Sequence, residues 1–395
     1  MKFVKAISLC YLILASFAPV QFTVTIYPSS FKTGTVDEDV PNPAVNVGQL
    51  QDKAYTYTGV DCVVDYYGIT IDDYVTIVVI DDGLTELEWK ALEQNPEANV
   101  DIIGFLTNDT EHDVTYITNP DDSLLDDQVQ HGHGFAVISV LAAIARDLKV
   151  IFVDYRDEPG DDPDDWDTFG FDYGIYEIWE WIDDNQASKD IDIINWSWVN
   201  RENFTTSAIL QKWSSLISKD VIMLTAAGNF CNYLNQLGIK YYKYQSYYTE
   251  WYSVGSIDHE DRSEPWSWKN QKSYFSSWYE DNEAANQIVN WLEPGNGVPV
   301  LVDAFFDQDL QIARGEWVYS DGTSYSTAYL AAIVALIITG YHNGIGSSTD
   351  PSLDKVIDIL QYASSRSTFD QKMGYGYMDA YRAYQKAYME GRWAA

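Results

Sequence analysis

The chain has 395 residues, enough for one large core or two modest ones, and its 46% hydrophobic and 15% aromatic content belongs to a folded protein. Sixty acidic residues against 24 basic ones give a formal net charge of -36 at pH 7. A field of that sign repels nucleic-acid phosphates and anionic lipid surfaces, so neither is expected as a partner, whereas cationic partners are attracted.

In chain order, the first feature is a basic start, Lys2 and Lys5, followed by the apolar run Ala6–Ala18. This layout predicts a secretory signal peptide over 1–18, or a retained N-terminal anchor, and an extracellular location. Removal of that segment takes Cys10 with it and leaves Cys62 and Cys231, which either pair in an oxidising compartment or stay as single thiols. Residues 19–70, rich in Thr, Tyr, Asp, Pro and Asn, read as an N-terminal extension or short prosegment. The main domain is expected over 71–392.

At Val75 the pattern changes. "VTIVVIDDG" is an apolar run closed by two acids and a glycine, as in a strand buried on both faces. "HGFAVISVLAAIARDL" predicts an apolar helix, "KVIFVDY" a strand, "YGIYEIWEWIDDN" a helix and "IDIINWSW" a strand. "AILQKWSSLISKD" and "VIMLTAAGN" add a helix and a strand running into a loop. Strands alternating with helices predict an α/β fold with a mostly parallel central sheet and helices on both faces. The Trp- and Tyr-rich stretch from Asp258 to Ser320 reads as loops and short strands, and "SLDKVIDILQYASS" and "DAYRAYQKAYMEG" as closing helices. "AAIVALIIT" is half the length needed to span a bilayer and reads as part of a core helix.

In open parallel sheets, ligands sit beyond the carboxyl ends of the strands. Asp81, Asn195, Ser197 and Asn229 all fall at or just past such ends, and Ser324 follows a Gly-Thr at the head of an apolar helix. Hydrolysis through a serine needs a base for its proton, an acid orienting that base, and donors for the developing oxyanion. Asp81, His131 and Ser324, in that order, are candidates for the acid, the base and the serine.

"VVIDDG", "HGHGFAVISVLAA", "AAGN" and "GTSYSTAYLAA" in this order resemble the Asp, His, oxyanion and Ser motifs of the subtilisin-like serine proteases. "KVIFVD", "IDIINWSW" and "YGYMDAYRA" are similar to the family's connecting and closing segments, so the resemblance runs from Val75 to Ala387. It implies a three-layer subtilisin-like fold and a serine endopeptidase acting on proteins or peptides through an acyl-enzyme. Asp81, His131 and Ser324 would be the triad and Asn229 the side-chain oxyanion donor, with Ser197 and Trp198 on the substrate-pairing strand.

Asp82 stands where the family has a small hydroxyl residue, and Tyr325-Ser326 where it has Met-Ala. Strand alternation predicts that only one of Asp81 and Asp82 faces the histidine. His133, two residues from His131, reads as structural or cleft-lining, with metal ligation by the pair as the lesser alternative. The chemistry requires no cofactor. Structural calcium is compatible with the many carboxylates, although no ligand set can be matched. The acidic loop Asp161–Asp167 predicts a preference for cationic substrates, and a non-catalytic, aromatic-rich binding protein on the same scaffold is the alternative function.

Overall fold

The computed structural model describes residues 52–66, 68–72, 74–94, 99–108, 114–121, 132–154, 174–197, 206–229, 250–260, 269–278, 289–308 and 310–395. The apolar runs form an eight-stranded sheet: β1 Thr76–Asp81, β2 Asp101–Asn108, β3 Val114–Ile117, β4 Lys149–Asp154, β5 Ile191–Trp196, β6 Ile222–Ala226, β7 Tyr252–Ile257 and β8 Trp291–Pro294. Their spatial order is β3-β2-β4-β1-β5-β6-β7-β8, with every pairing parallel except β2 with β3. Every residue of β1, β5 and β6 is buried, as expected for parallel strands covered on both faces. β1 is central, pairing with β4 on one side and β5 on the other, and the order of strands reverses there. Asp81 ends β1 opposite Asp154 of β4, so the crevice at this switch point opens beside Asp81.

Helices α1 Asp52–Thr58, α2 Glu86–Gln94, α3 His133–Ile144, α4 Gly174–Asn185, α5 Ser207–Ser218, α6 Thr323–Ile345, α7 Leu353–Ala363 and α8 Ala380–Ala394 complete the described body. α3 is buried on all sides, and in α6 every residue from Thr323 to His342 is buried. α6 has the length and hydropathy of a membrane span, but 83% of its most apolar window lies inside the protein, which makes it a core helix. Between α4, α5 and the sheet, Trp179, Trp196, Trp213 and Trp251 pack with ring centroids 5.3–5.9 Å apart, mostly edge to face. That geometry suits the ring quadrupoles and stiffens the end of β5, where Trp196 precedes Ser197.

Two segments differ from the expectation. The aromatic-rich stretch before Ser324 contains a long antiparallel hairpin, β9 Asn296–Asp307 and β10 Ile312–Asp321. Its polar and aromatic outer positions hide the alternation from a reading of composition. The stretch assigned to an extension contains α1, and Tyr55, Val60 and Val63 are fully buried. Thr58 Oγ1 lies 2.7 Å from the Tyr329 hydroxyl of α6, and Tyr57 stacks on Tyr377 at 4.3 Å. Residues 52–66 are therefore part of the folded body. Residues 1–51, including the expected signal peptide, lie outside the described residues, as do Cys231 and the acidic loop Asp161–Asp167. Cys62 is exposed and carries no disulfide.

Glu293 in β8 is fully buried; its Oε1 accepts from the Met378 N–H at 2.8 Å and its Oε2 meets no donor. Burial therefore pushes its carboxyl well above the usual range. A carboxyl whose folded value is raised loses its share of stability as pH climbs past the unfolded value near 4.3. Glu293→Gln, which keeps the acceptor for Met378, is expected to raise Tm at pH 7–8 and to leave it nearly unchanged at pH 4. Thermal unfolding across that range checks the sign.

Candidate active site

The Asp81 carboxylate is held by two donors. Its Oδ1 accepts from the Asp82 N–H at 2.9 Å and from Nδ1–H of His133 at 2.6 Å. The imidazole paired with Asp81 is thus that of His133, two residues along the chain from His131, where the base is expected and which lies outside the described residues. In "HGHG" each histidine is followed by a glycine, so the motif has two registers, and only the local backbone separates them. Gly132 caps α3 with φ 77, a left-handed conformation that favours glycine. A Cβ on Gly134 would meet the Phe152 ring at 2.8 Å and the Gly83 carbonyl at 3.0 Å. Glycines with a backbone reason to exist stand on both sides of His133. That was the available signal.

Asp82 also departs from the alternation argument. β1 ends at Asp81, so the two-residue period stops there, and Asp82 turns back toward the same helix. Its Oδ1 accepts from the Gly134 N–H at 2.7 Å. One ligand atom from each of Asp81, Asp82 and His133 lies within 4.8 Å of the others. These three do not fit calcium, which takes six to eight oxygens: the nearest atoms are a ring nitrogen and carboxylate oxygens already holding hydrogen bonds.

Burial pushes Asp81 up from the ordinary carboxylate value, and the His133 charge and hydrogen bond pull it back. Two hydrogen bonds into Oδ1 favour the ionised carboxylate, which we take as the ground arrangement. At His133, burial opposes the charged ring, but the Asp81 charge, its hydrogen bond and Asp82 outweigh this and carry the imidazole up to about 9.

Ser324 occupies the first turn of α6, where backbone N–H groups have no intrahelical acceptor. A reciprocal pair of hydrogen bonds fixes it to the end of β5. Ser324 Oγ donates to the Ser197 carbonyl at 2.8 Å, and Ser197 Oγ donates to the Ser324 carbonyl at 2.9 Å. Asn195 Nδ2 in turn donates to Ser197 Oγ at 2.9 Å. Ser197, expected on the substrate-pairing strand, therefore braces the serine directly, while Trp198 lies outside the described residues. Tyr325, the next residue of α6, faces the His133 ring at 6.1 Å between centroids, which brings the imidazole and the serine-bearing turn to the same crevice.

Asn229 lies past β6 and is exposed. Its Oδ1 accepts from both the N–H and the hydroxyl of Thr323, each at 2.9 Å. The Thr323 N–H is an obligate donor, so the amide orientation is fixed and Nδ2 is left to donate elsewhere. Nδ2 is 3.6 Å from where a Cβ on Gly322 would stand, beside the same first turn. Gly228 N–H donates to Thr323 Oγ1 at 3.1 Å and closes the link between the two segments.

The geometry agrees with the comparisons. A model of the Subtilase family matches residues 72–376. The chain belongs to the subtilase family. It is a serine-type endopeptidase by that membership. Among solved structures, one entitled "Crystal Structure of a Lanthipeptide Protease" is similar with TM-score 0.60 and 20% identity, covering 85% of this chain and 95% of that one. The prenylagaramide maturation protease PagA is similar with TM-score 0.50 and 14% identity, covering 86% of this chain and 98% of its own. Both report on the fold. No curated protein matches the chain.

Because the imidazole paired with Asp81 is that of His133, the two histidines should differ in consequence. His133→Ala is expected to abolish peptide hydrolysis and His131→Ala to retain it; assays of both purified variants against a fluorogenic peptide set check the register.

Proposed function

We propose that this subtilase cleaves proteins or peptides outside the cell through an acyl-enzyme formed on Ser324. His133 Nε2 takes the hydroxyl proton as Ser324 Oγ attacks the scissile carbonyl, and later returns it to the leaving amine. Asp81 holds the ring in the tautomer with the proton on Nδ1 and stabilises the imidazolium. Asn229 Nδ2 and the Ser324 N–H donate to the oxyanion. The observation that carries this reading is the buried 2.6 Å contact between Asp81 and His133, set beside the turn that bears Ser324. In the resting arrangement the Ser324 hydroxyl donates to the Ser197 carbonyl, so a rotation about χ1 precedes attack. Catalytic hydrogen bonds commonly tighten only with substrate in place.

The basic start and apolar run over 1–18 support export, and the net charge of -36 supports a preference for cationic substrates. Equal cleavage of Lys/Arg-rich and neutral peptides at low salt would count against that preference.

A fluorophosphonate probe tests the core of the proposal. It should label the wild-type chain at Ser324 and leave Ser324→Ala unlabelled; labelling that persists in the variant places the nucleophile at another residue, and labelling of neither favours a non-catalytic binding role. Asn229→Ala is expected to lower kcat by about 10²–10³ with little change in KM. His133 must be neutral to act as base. With its ring carried up to about 9, kcat/KM should rise with pH through the alkaline range and fall as pH drops.

A further inference from the structure

Asp82 is a departure from the family's motif with a definite place in the structure. The strand ends one residue earlier, and the carboxylate folds back onto the start of α3. There its Oδ1 accepts the Gly134 N–H at 2.7 Å, one of the first-turn donors that the helix cannot satisfy itself. An anionic acceptor at that end is also favoured by the helix dipole. The group is only 7% exposed, so solvent screens its charge weakly, and it shares a 4.8 Å neighbourhood with Asp81 and the His133 ring.

We propose that Asp82 is a positioning residue for the catalytic base: it clamps the first turn of α3 so that His133 meets Asp81, and its added negative charge moves the enzyme's working range to higher pH. This rests on the reading of His133 as the base. The neighbouring groups are consistent with it. From the end of β1 come Asp81 and Asp82 themselves, and from β4 Asp154, which pairs in register with Asp81. From α6 comes the Tyr325 ring, whose hydroxyl accepts from Ser320 Oγ at 3.2 Å and which is uncharged. From α2 comes Glu88, buried, its Oε2 accepting from the Thr85 N–H and hydroxyl at 2.9 Å each; burial, with Asp82 nearby, pushes its carboxyl up to about 7. Of this group, Asp82 is the carboxylate that both bonds the first turn of α3 and lies within 4.8 Å of the Asp81 and His133 ligand atoms, and its charge can be removed without losing the Asp81 contact.

Asp82→Asn separates the two roles, because an amide oxygen still accepts from Gly134 while the charge is gone. The midpoint of the acid limb of kcat/KM is expected to fall by about one pH unit. The His133 imidazole, followed by NMR in a Ser324→Ala background, is expected to shift by the same amount. Asp82→Ala loses the clamp as well, and should lower kcat at the plateau by about tenfold beyond the Asn variant while shifting the limb equally. An unmoved limb and an unmoved imidazole in Asp82→Asn overturn the proposal, and should the Ala variant not fold, the Asn pair of measurements decides alone. Failure of the peptidase reading looks different: no turnover at any pH with Ser324 intact, while the imidazole midpoint still moves, which upholds the electrostatic effect of Asp82 and sinks the function.

Discussion

The site depends on one buried hydrogen bond, from His133 Nδ1–H to Asp81 Oδ1 at 2.6 Å. A carboxylate buried at the end of a central strand is costly unless it is paired and hydrogen-bonded. The sheet provides the location, and α3 supplies both the imidazole and, through Gly134, the donor that keeps Asp82 beside it. The positions of Gly132 and Gly134 follow from the same requirement. The helix has to begin abruptly after a left-handed residue and lie close against β4, or the ring does not reach the carboxylate. On the opposite wall, Asn229, Thr323, Ser197 and Ser324 form a second set of short hydrogen bonds that joins the ends of β5 and β6 to α6. Catalytic geometry is therefore built from backbone ends that hold one another.

Protonation pulls the molecule in two directions. Glu293 and Asp192 are buried carboxyls raised well above their ordinary values by desolvation, and Glu88 is raised to about 7. Each of these contributes least to stability at alkaline pH. His133 is held charged up to about 9 by its two carboxylate neighbours, so the base role proposed for it calls for alkaline pH. The stability carried by these carboxyls and the turnover proposed for His133 would be favoured at opposite ends of the pH scale, and the net charge of -36 adds self-repulsion once the carboxylates ionise.

Much of this was legible in the sequence wherever a single periodicity or cap dominated. The apolar runs at Thr76–Asp81, Lys149–Asp154, Ile191–Trp196 and Ile222–Ala226 are strands because buried parallel strands need nothing but apolar residues. Asp81, Ser197 and Asn229 lie at the carboxyl ends of β1, β5 and β6, on one end of the sheet, and Ser324 is joined to them through the head of α6. The histidine was not legible from the motif alone: "HGHG" offers two equivalent registers, and the choice is made by φ at Gly132 and by the Phe152 ring against Gly134. Asp82 misled because alternation is a property of strands, and the strand stops at Asp81. The β9–β10 hairpin was obscured by its composition, with Phe305, Phe306 and Tyr319 exposed where an amphipathic reading expects polar residues.

The departures from the family motifs fall in a pattern. Asp82, Tyr325 and Ser326 all flank Asp81 or Ser324, and none replaces an atom that the proposed chemistry uses. Tyr325 is fully enclosed between the His133 ring and the Gly322 backbone, with its hydroxyl tied to Ser320 of β10. A Cβ on Gly295 would stand 2.1 Å from Ser326 Oγ, so the close approach of this loop to α6 requires glycine there. The frame holding Asp81, His133 and Ser324 is made of backbone turns and caps, which these flanking side chains leave in place. What such flanking residues alter is the environment of the reacting groups: the charge beside the imidazole and the packing behind the serine.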